Sequence, residues 1–264
     1  MFLLDINLYH KALSPLLTVA ANHLFARSVV EKHVTGIIYT DDTIHPSAFH
    51  VVHPYGMSLL FGITDNHEFY GAIADYMLNK KGNRQSIEWM QAYPQTWNEI
   101  IRKTSGDVFV KPDESNNQRV IEVHTRANFR FNVEKYLSIK KNLKLTDNKV
   151  VRTDKDLYQK MNGTVVPKYF WNNADDFNKN GVGFTLLVNN EPACTAYSAY
   201  IFDRRLELGI ETRPEHRGKG FAVSTCCVLI DYCIKNNFEP VWSCRLQNTA
   251  SYQLAQKLGF EPTI

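Results

Sequence analysis

One stretch concentrates the side chains able to do chemistry: Leu206-Glu-Leu-Gly-Ile-Glu-Thr-Arg-Pro-Glu-His-Arg-Gly-Lys-Gly-Phe-Ala222. Gly218 and Gly220 bracket Lys219 directly before an apolar run, and Arg213 and Arg217 precede them. Glycine lets the main chain turn tightly and come close to a ligand. If a helix begins at Phe221, its first N–H groups have no partner within the helix and point into the loop, where the helix dipole adds partial positive charge. A helix start of this kind binds phosphate or pyrophosphate. Arg213, Arg217 and Lys219 add formal charge beside it. The spacing is neither the Walker G-x-x-x-x-G-K-[ST] nor G-x-G-x-x-G.

The elements around this stretch must position it. Residues 182–188, 193–201 and 206–212 read as three strands, with turns at Glu191-Pro192 and at residues 203–205. A loop over 213–220 then runs into a helix over 221–235, followed by a strand over 240–244 and a closing helix over 249–258 before Gly259. Period-2 alternation puts Glu207, Gly209 and Glu211 on one face of the third strand and Leu206, Leu208 and Ile210 on the other, unless a bulge intervenes. Upstream, residues 150–152 predict a strand and 155–161 a short helix. The first half predicts a helix within residues 1–21, strands over 34–40, 48–52 and 58–61, a helix over 69–78, one or two helices over 85–103 broken at Pro94, a strand over 120–124 and a Lys-rich helix and linker over 133–149. A boundary near Leu143 divides an N-terminal α/β domain, 1–143, from a C-terminal domain, 144–264. The fold class is α/β (α+β), with a mixed, largely antiparallel sheet flanked by helices.

The chain has 264 residues, long enough to bury a core without staples, and its 44% hydrophobic and 22% charged composition excludes a disordered or fibrous protein. A net charge of +3 is too small to imply nucleic-acid binding by bulk charge. No apolar run is long enough for a membrane span, and residues 1–21 lack a basic region that would mark a signal peptide. Five cysteines, an odd number without zinc-ligand spacing, read as buried reduced thiols of a cytoplasmic protein; Cys226, Cys227 and Cys233 fall on one helix as core residues. His45, His50 and His53 suggest a metal cluster, but odd spacing on a strand sends His50 and His53 to opposite faces, so no metal is expected. Tyr169-Phe-Trp171 reads as core rather than as the lining of an acceptor pocket, and His216 reads equally as an exposed loop residue or as a contact to the ligand of the anion site. No nucleophile elbow points to a hydrolase, and no internal repeat is evident.

Arg217-Gly-Lys-Gly-Phe-Ala222 resembles the R/Q-x-x-G-x-G/A loop of the GNAT acyltransferase superfamily. About 30 residues on, Asn248-Thr-Ala-Ser251 with Leu254, Lys257, Leu258, Gly259 and Phe260 is similar to that family's second motif. Gly209-Ile-Glu-Thr212 and Trp242-Ser-Cys244 resemble the subgroup related to the zwittermicin-A-resistance acetyltransferase. The resemblance covers residues 145–264 and reaches the first half through layout alone, which makes that half a candidate degenerate GNAT-like relative.

The resemblance implies a GNAT-like fold and acetyl-CoA as co-substrate, without metal. It implies that main-chain amides of Gly218, Lys219, Gly220, Phe221 and Ala222 hold the pyrophosphate, with Arg217 opening the loop. The main chain of Ile210 and Thr212 would pair with the pantetheine arm, and Asn248, Ser251 and Tyr252 would lie beside it; Asn248 alone also reads as a helix N-cap. Direct transfer to a primary amine of a small-molecule acceptor in a ternary complex needs a base within hydrogen-bond reach of the amine. Glu207 and Glu211 are the candidates, against the plainer reading of a carboxylate paired with a nearby arginine. An N–H of the splayed strand would stabilise the oxyanion. Two departures stand out: Ala255 occupies the position where the family often has an acid tyrosine, leaving Tyr252, Cys244 or solvent as proton sources, and the chain stops soon after Phe260, where a final strand is expected. The alternative function is a non-catalytic acyl-CoA-binding sensor or interaction module. Acceptor identity and oligomeric state are not legible.

Overall fold

A computed structural model describes residues 1–82, 84–111 and 120–263. The chain forms two compact units, Met1–His124 and Thr125–Ile264. In the first, β1 (Phe2–Leu3), α1 (Leu13–Leu17) and α2 (Leu24–Val30) precede the meander β2 (Ile37–Thr40), β3 (Ala48–His53) and β4 (Met57–Gly62); α3 (His67–Met77), β5 (Trp89–Tyr93) and α4 (Thr96–Ser105) follow, then the short parallel pair β6 (Phe109–Val110) and β7 (Ile121–Glu122). The sheet order is β1-β2-β3-β4-β5.

Two first-half expectations change. Residues 1–21 do not form one helix: β1 pairs with β2, Asp5 caps a 3-10 turn over Ile6–Ala12, and only α1 is α-helical. The apolar residues there serve different neighbours, so no single helical face is needed. Residues 85–103 are a strand followed by a helix, because 89–93 pair in parallel with β4 and Pro94 ends that pairing segment. A non-local partner overrides local propensity here.

The second unit contains β8 (Arg126–Phe131), α5 (Val133–Lys140), β9 (Val150–Arg152), α6 (Lys155–Lys160), α7 (Ala174–Asn180), β10 (Gly183–Val188), β11 (Glu191–Phe202), β12 (Arg205–Thr212), α8 (Phe221–Lys235), β13 (Glu239–Arg245), α9 (Thr249–Lys257) and β14 (Phe260–Thr263). Its seven-stranded sheet runs β14-β8-β13-β12-β11-β10-β9. All pairings are antiparallel except β12·β13. The GNAT-like mixed, largely antiparallel sheet is therefore present.

The boundary falls at 124/125 rather than near Leu143. Thr125 onward belongs to the second sheet because β8 inserts between β13 and β14. The final strand is present as well, since β14 pairs with β8. Residues 126–131 read Arg-Ala-Asn-Phe-Arg-Phe. Ala127, Phe129 and Phe131 join the core beneath α8, which takes Leu206, Leu208 and Cys226 among its members. All five cysteines are free and buried, as expected.

Tyr136 of α5 is fully buried and its hydroxyl donates to the Cys227 carbonyl (3.1 Å) and to Asp231 Oδ1 (2.8 Å) on α8. Removing the hydroxyl deletes both of these contacts between α5 and α8. Tyr136→Phe is expected to destabilise the protein by about 1–2 kcal/mol, a drop of a few degrees in melting temperature by calorimetry. An unchanged melting temperature would mean that α5 is not a working part of this unit.

Both units share one strand connectivity. In β1–β5 and again in β9–β13, three antiparallel pairings are followed by a parallel one across a helix, α3 or α8. The helix starts differ. Asn66 caps α3 with its own side chain, accepting from Phe69 N–H (3.0 Å), whereas α8 has no side-chain cap.

Candidate functional site

Gly220 is the N-cap of α8 with φ +77°, and Gly218 has φ +76°. Both sit in the left-handed region, which L side chains rarely adopt. By helix geometry the amides of Phe221, Ala222 and Val223 have no partner within α8. Among the described residues no side chain takes their place, and the space a Cβ of Gly218 or Gly220 would enter is open within 4 Å. Lys219 is exposed, Arg213 is half-buried, and the His216 ring lies 5.8 Å from that of Phe221. Arg217 Nε donates to the Thr212 carbonyl (3.1 Å), tying the loop to the end of β12.

Beside this helix start the sheet opens. The parallel pairing of β12 with β13 ends at Glu207/Val241, although β12 runs on to Thr212 and β13 to Arg245. Two hydrogen bonds give the direction of the β12 main chain. The Arg204 carbonyl accepts from Glu239 N–H on the β13 side, and Arg213 N–H donates to the Ala193 carbonyl on the β11 side. Alternation then directs the peptide groups of Leu208, Ile210 and Thr212 toward the gap.

The alternation of side chains holds along β12. Leu206, Leu208 and Ile210 pack under α8. A bulge does occur, but on β11, between Ser198 and Tyr200. It brings Tyr197 and Tyr200 against the same ring, Phe170, at 5.9 and 5.6 Å. The Tyr197 ring covers Gly209, where an added Cβ would come within 2.4 Å of Cζ. Phe170 is therefore core, as expected, and the Trp171 indole donates to the Ser198 carbonyl (2.8 Å), while Tyr169 is exposed.

The two glutamates on this face have different surroundings. Glu211 Oε2 accepts from the amides of Thr164 and Val165 (both 2.9 Å), and its Oε1 lies 3.5 Å from Arg217. It staples the 163–165 loop, the plainer alternative for this residue. Glu207 is 7% exposed; its Oε1 accepts from Ser243 Oγ (2.8 Å), and its buried Oε2 has no hydrogen-bond partner among the described residues. Arg126 of β8 lies 3.7 Å from Oε1. Arg126 and Ser243 were missed in the sequence; the alternating pattern of 126–131 was the available signal.

Glu211→Ala is expected to free the 163–165 loop and cost about 1–3 kcal/mol, since two amides lose a charged acceptor. Limited proteolysis near residue 164 reports it. Unaltered protease resistance would remove this role.

Asn248 Oδ1 accepts from Ser251 N–H (3.2 Å), so it caps α9. Ser251 Oγ accepts from the Trp242 indole (3.1 Å). Tyr252 is half-buried with its ring 5.2 Å from Phe129, and Ala255 is fully buried in the core. Cys244 is buried, and burial raises its thiol pKa.

His50 and His53 lie on β3, where alternation puts them on opposite faces. His50 is buried beside Glu88 (3.5 Å). Burial holds His53 neutral, with its pKa lowered to about 3. Among the described residues no group of three or more His, Cys, Asp or Glu side chains is gathered to hold a metal ion, and no helix is long and apolar enough to cross a membrane.

The family described as GNAT acetyltransferase matches residues 14–263. The chain is 27% identical over 240 residues to the uncharacterized N-acetyltransferase YdfB of Bacillus subtilis, covering 90% of this chain and 86% of the relative. A GCN5-related N-acetyltransferase-like protein from Streptococcus suis shares the fold at TM-score 0.67 and 18% identity, over 98% of this chain and 97% of that one. A GNAT-family acetyltransferase from Colwellia psychrerythraea does so at TM-score 0.61 and 10% identity, over 99% and 96%.

Proposed function

Because the chain belongs to the GNAT acetyltransferase family and is thus an acyltransferase, we propose that it moves the acetyl group of acetyl-CoA to a primary amine of a small molecule within a ternary complex. The observation that carries this reading is the uncapped start of α8, opening beside two strands that part after Glu207/Val241. Five donors in sequence, the amides of residues 218–222, suit a pyrophosphate. Arg213 and Lys219 add charge, and the peptide groups of Ile210 and Thr212 suit an amide-bearing arm such as pantetheine. Asn248, Ser251 and Tyr252 flank the far side of that gap from α9. No carboxylate of the described residues caps the α8 amides, so the site fits an anionic ligand.

Bound acetyl-CoA supplies an activated thioester. The chain's own part is to hold the amine, remove its proton and place an amide near the developing oxyanion. Glu207 is the base: its Oε2 has no hydrogen-bond partner among the described residues, and it stands at the last β12·β13 pair, where the two strands begin to part. The N–H of Leu208 or Ile210 is the oxyanion donor. Thiolate is a stable leaving group, and Ala255 leaves its protonation to solvent. The first unit is a degenerate GNAT-like half, since it repeats the strand connectivity but caps its own helix start with Asn66. Five reduced thiols suit a cytoplasmic location.

A binding module without turnover is the second reading, favoured by the buried Ala255 where an acid tyrosine is common in the family. Calorimetric titration with coenzyme A, and thiol release from acetyl-CoA over a panel of amines, separate the two. Binding with release establishes the enzyme; binding without release on any amine leaves the module. Absence of heat and of any thermal shift sinks both.

A further inference from the structure

Glu207 is not held by the strand that carries it alone. Ser243 Oγ on β13 donates to Glu207 Oε1 at 2.8 Å. Arg126 Nη2 on β8 donates to the same Ser243 oxygen at 2.5 Å and lies 3.7 Å from Glu207 Oε1. The three side chains come from three adjacent strands of the sheet, in the order β8-β13-β12. The Glu207 side chain is 9% exposed and that of Arg126 21%. One carboxylate oxygen is thus engaged from one side, while Oε2 is buried without a partner.

We propose that Arg126 is a positioning residue for the catalytic base, acting through Ser243 to hold the Glu207 carboxylate turned so that Oε2 alone is presented to the acceptor amine. This rests on the reading of Glu207 as base. The guanidinium fixes the serine hydroxyl, and the serine hydrogen bond fixes the rotation of the carboxylate. Other ionisable groups placed around Glu207 are Arg245, which pairs cross-strand with Arg126, Tyr200, which pairs cross-strand with Glu207, and Glu211, two residues beyond Gly209 on the same strand face. Glu211 is held by the 163–165 loop and Arg217, so its charge is met elsewhere. Arg126 is the cation whose guanidinium reaches both Ser243 and Glu207.

The test is steady-state kinetics of the full chain with acetyl-CoA and the best amine of the panel. Arg126→Gln and Ser243→Ala are expected to lower kcat about 10-fold or more while the KM for acetyl-CoA stays within about twofold. Arg126→Lys keeps a charged donor for Ser243 and returns kcat toward its original value. On a Glu207→Gln background, Arg126→Gln causes little further loss, because the group it positions is gone. An unchanged kcat in both Arg126→Gln and Ser243→Ala overturns the proposal, as does full additivity with Glu207→Gln. If Arg126→Gln does not fold, Ser243→Ala, which removes one hydroxyl, decides. Glu207→Gln at the unaltered rate defeats the assignment of the base itself; a slow Glu207→Gln with unchanged kcat in the other variants defeats only the role of Arg126.

Discussion

Gly220→Val is expected to abolish the proposed coenzyme A binding: titration should give no heat, and added coenzyme should no longer raise the melting temperature. At φ +77° the main chain of residue 220 is in the left-handed region. A β-branched residue is a genuine outlier there. Holding that conformation costs on the order of 1–2 kcal/mol or more, and relaxing it rotates the peptide planes that aim the first amides of α8. The added side chain also enters space that is open in the structure, the space proposed for the diphosphate. Strain and obstruction together are expected to lower affinity by about two orders of magnitude or more, equivalent to roughly 3 kcal/mol. Because no neighbouring atom lies within 4 Å of the new Cβ, the fold itself has room for it. The variant should therefore remain cooperative in thermal unfolding. Binding at the original affinity by a folded Gly220→Val protein would show that the diphosphate is gripped somewhere else.

Glu207→Gln is expected to lower kcat by about 10²–10³-fold with coenzyme affinity unchanged, the range for removal of a general base, the role proposed for it. Glutamine has nearly the same shape and can still accept from Ser243, so the change is one of basicity rather than packing. Glu211→Gln serves as the comparison. Its carboxylate is committed to the amides of Thr164 and Val165 and to Arg217, so turnover should fall only a few-fold while loop stability drops. A reversed ranking, with Glu211→Gln the slower variant, would exchange the two roles. Equal, near-unaltered rates in both would leave the chemistry without a carboxylate base and favour the non-catalytic reading.

In the sequence, two neighbouring glutamates of β12 look equivalent. Alternation places both on one face, and that reading holds because the bulge interrupts β11 instead. What separates them is their partners. Glu211 meets a loop 46–47 residues earlier in the chain, whereas Glu207 meets Ser243 36 residues later. Likewise Asn248 is the cap that its position before α9 suggested, and no spacing could have shown that Trp242 reaches Ser251.

Local chemistry was enough to determine β12, the glycine loop and α8, whose span over Phe221–Lys235 is the one read from the apolar run between Gly220 and Asn236. Such signals are legible because periodicity, caps and glycine conformations depend on residues within a turn or two of each other. The tertiary structure alone decided that β8 completes the second sheet, that residues 89–93 are a strand, and that Arg126 stands beside Glu207, since Arg126 and Ser243 are 117 positions apart. Strand partners are chosen by burying faces against distant segments, and short stretches of sequence carry no record of that choice.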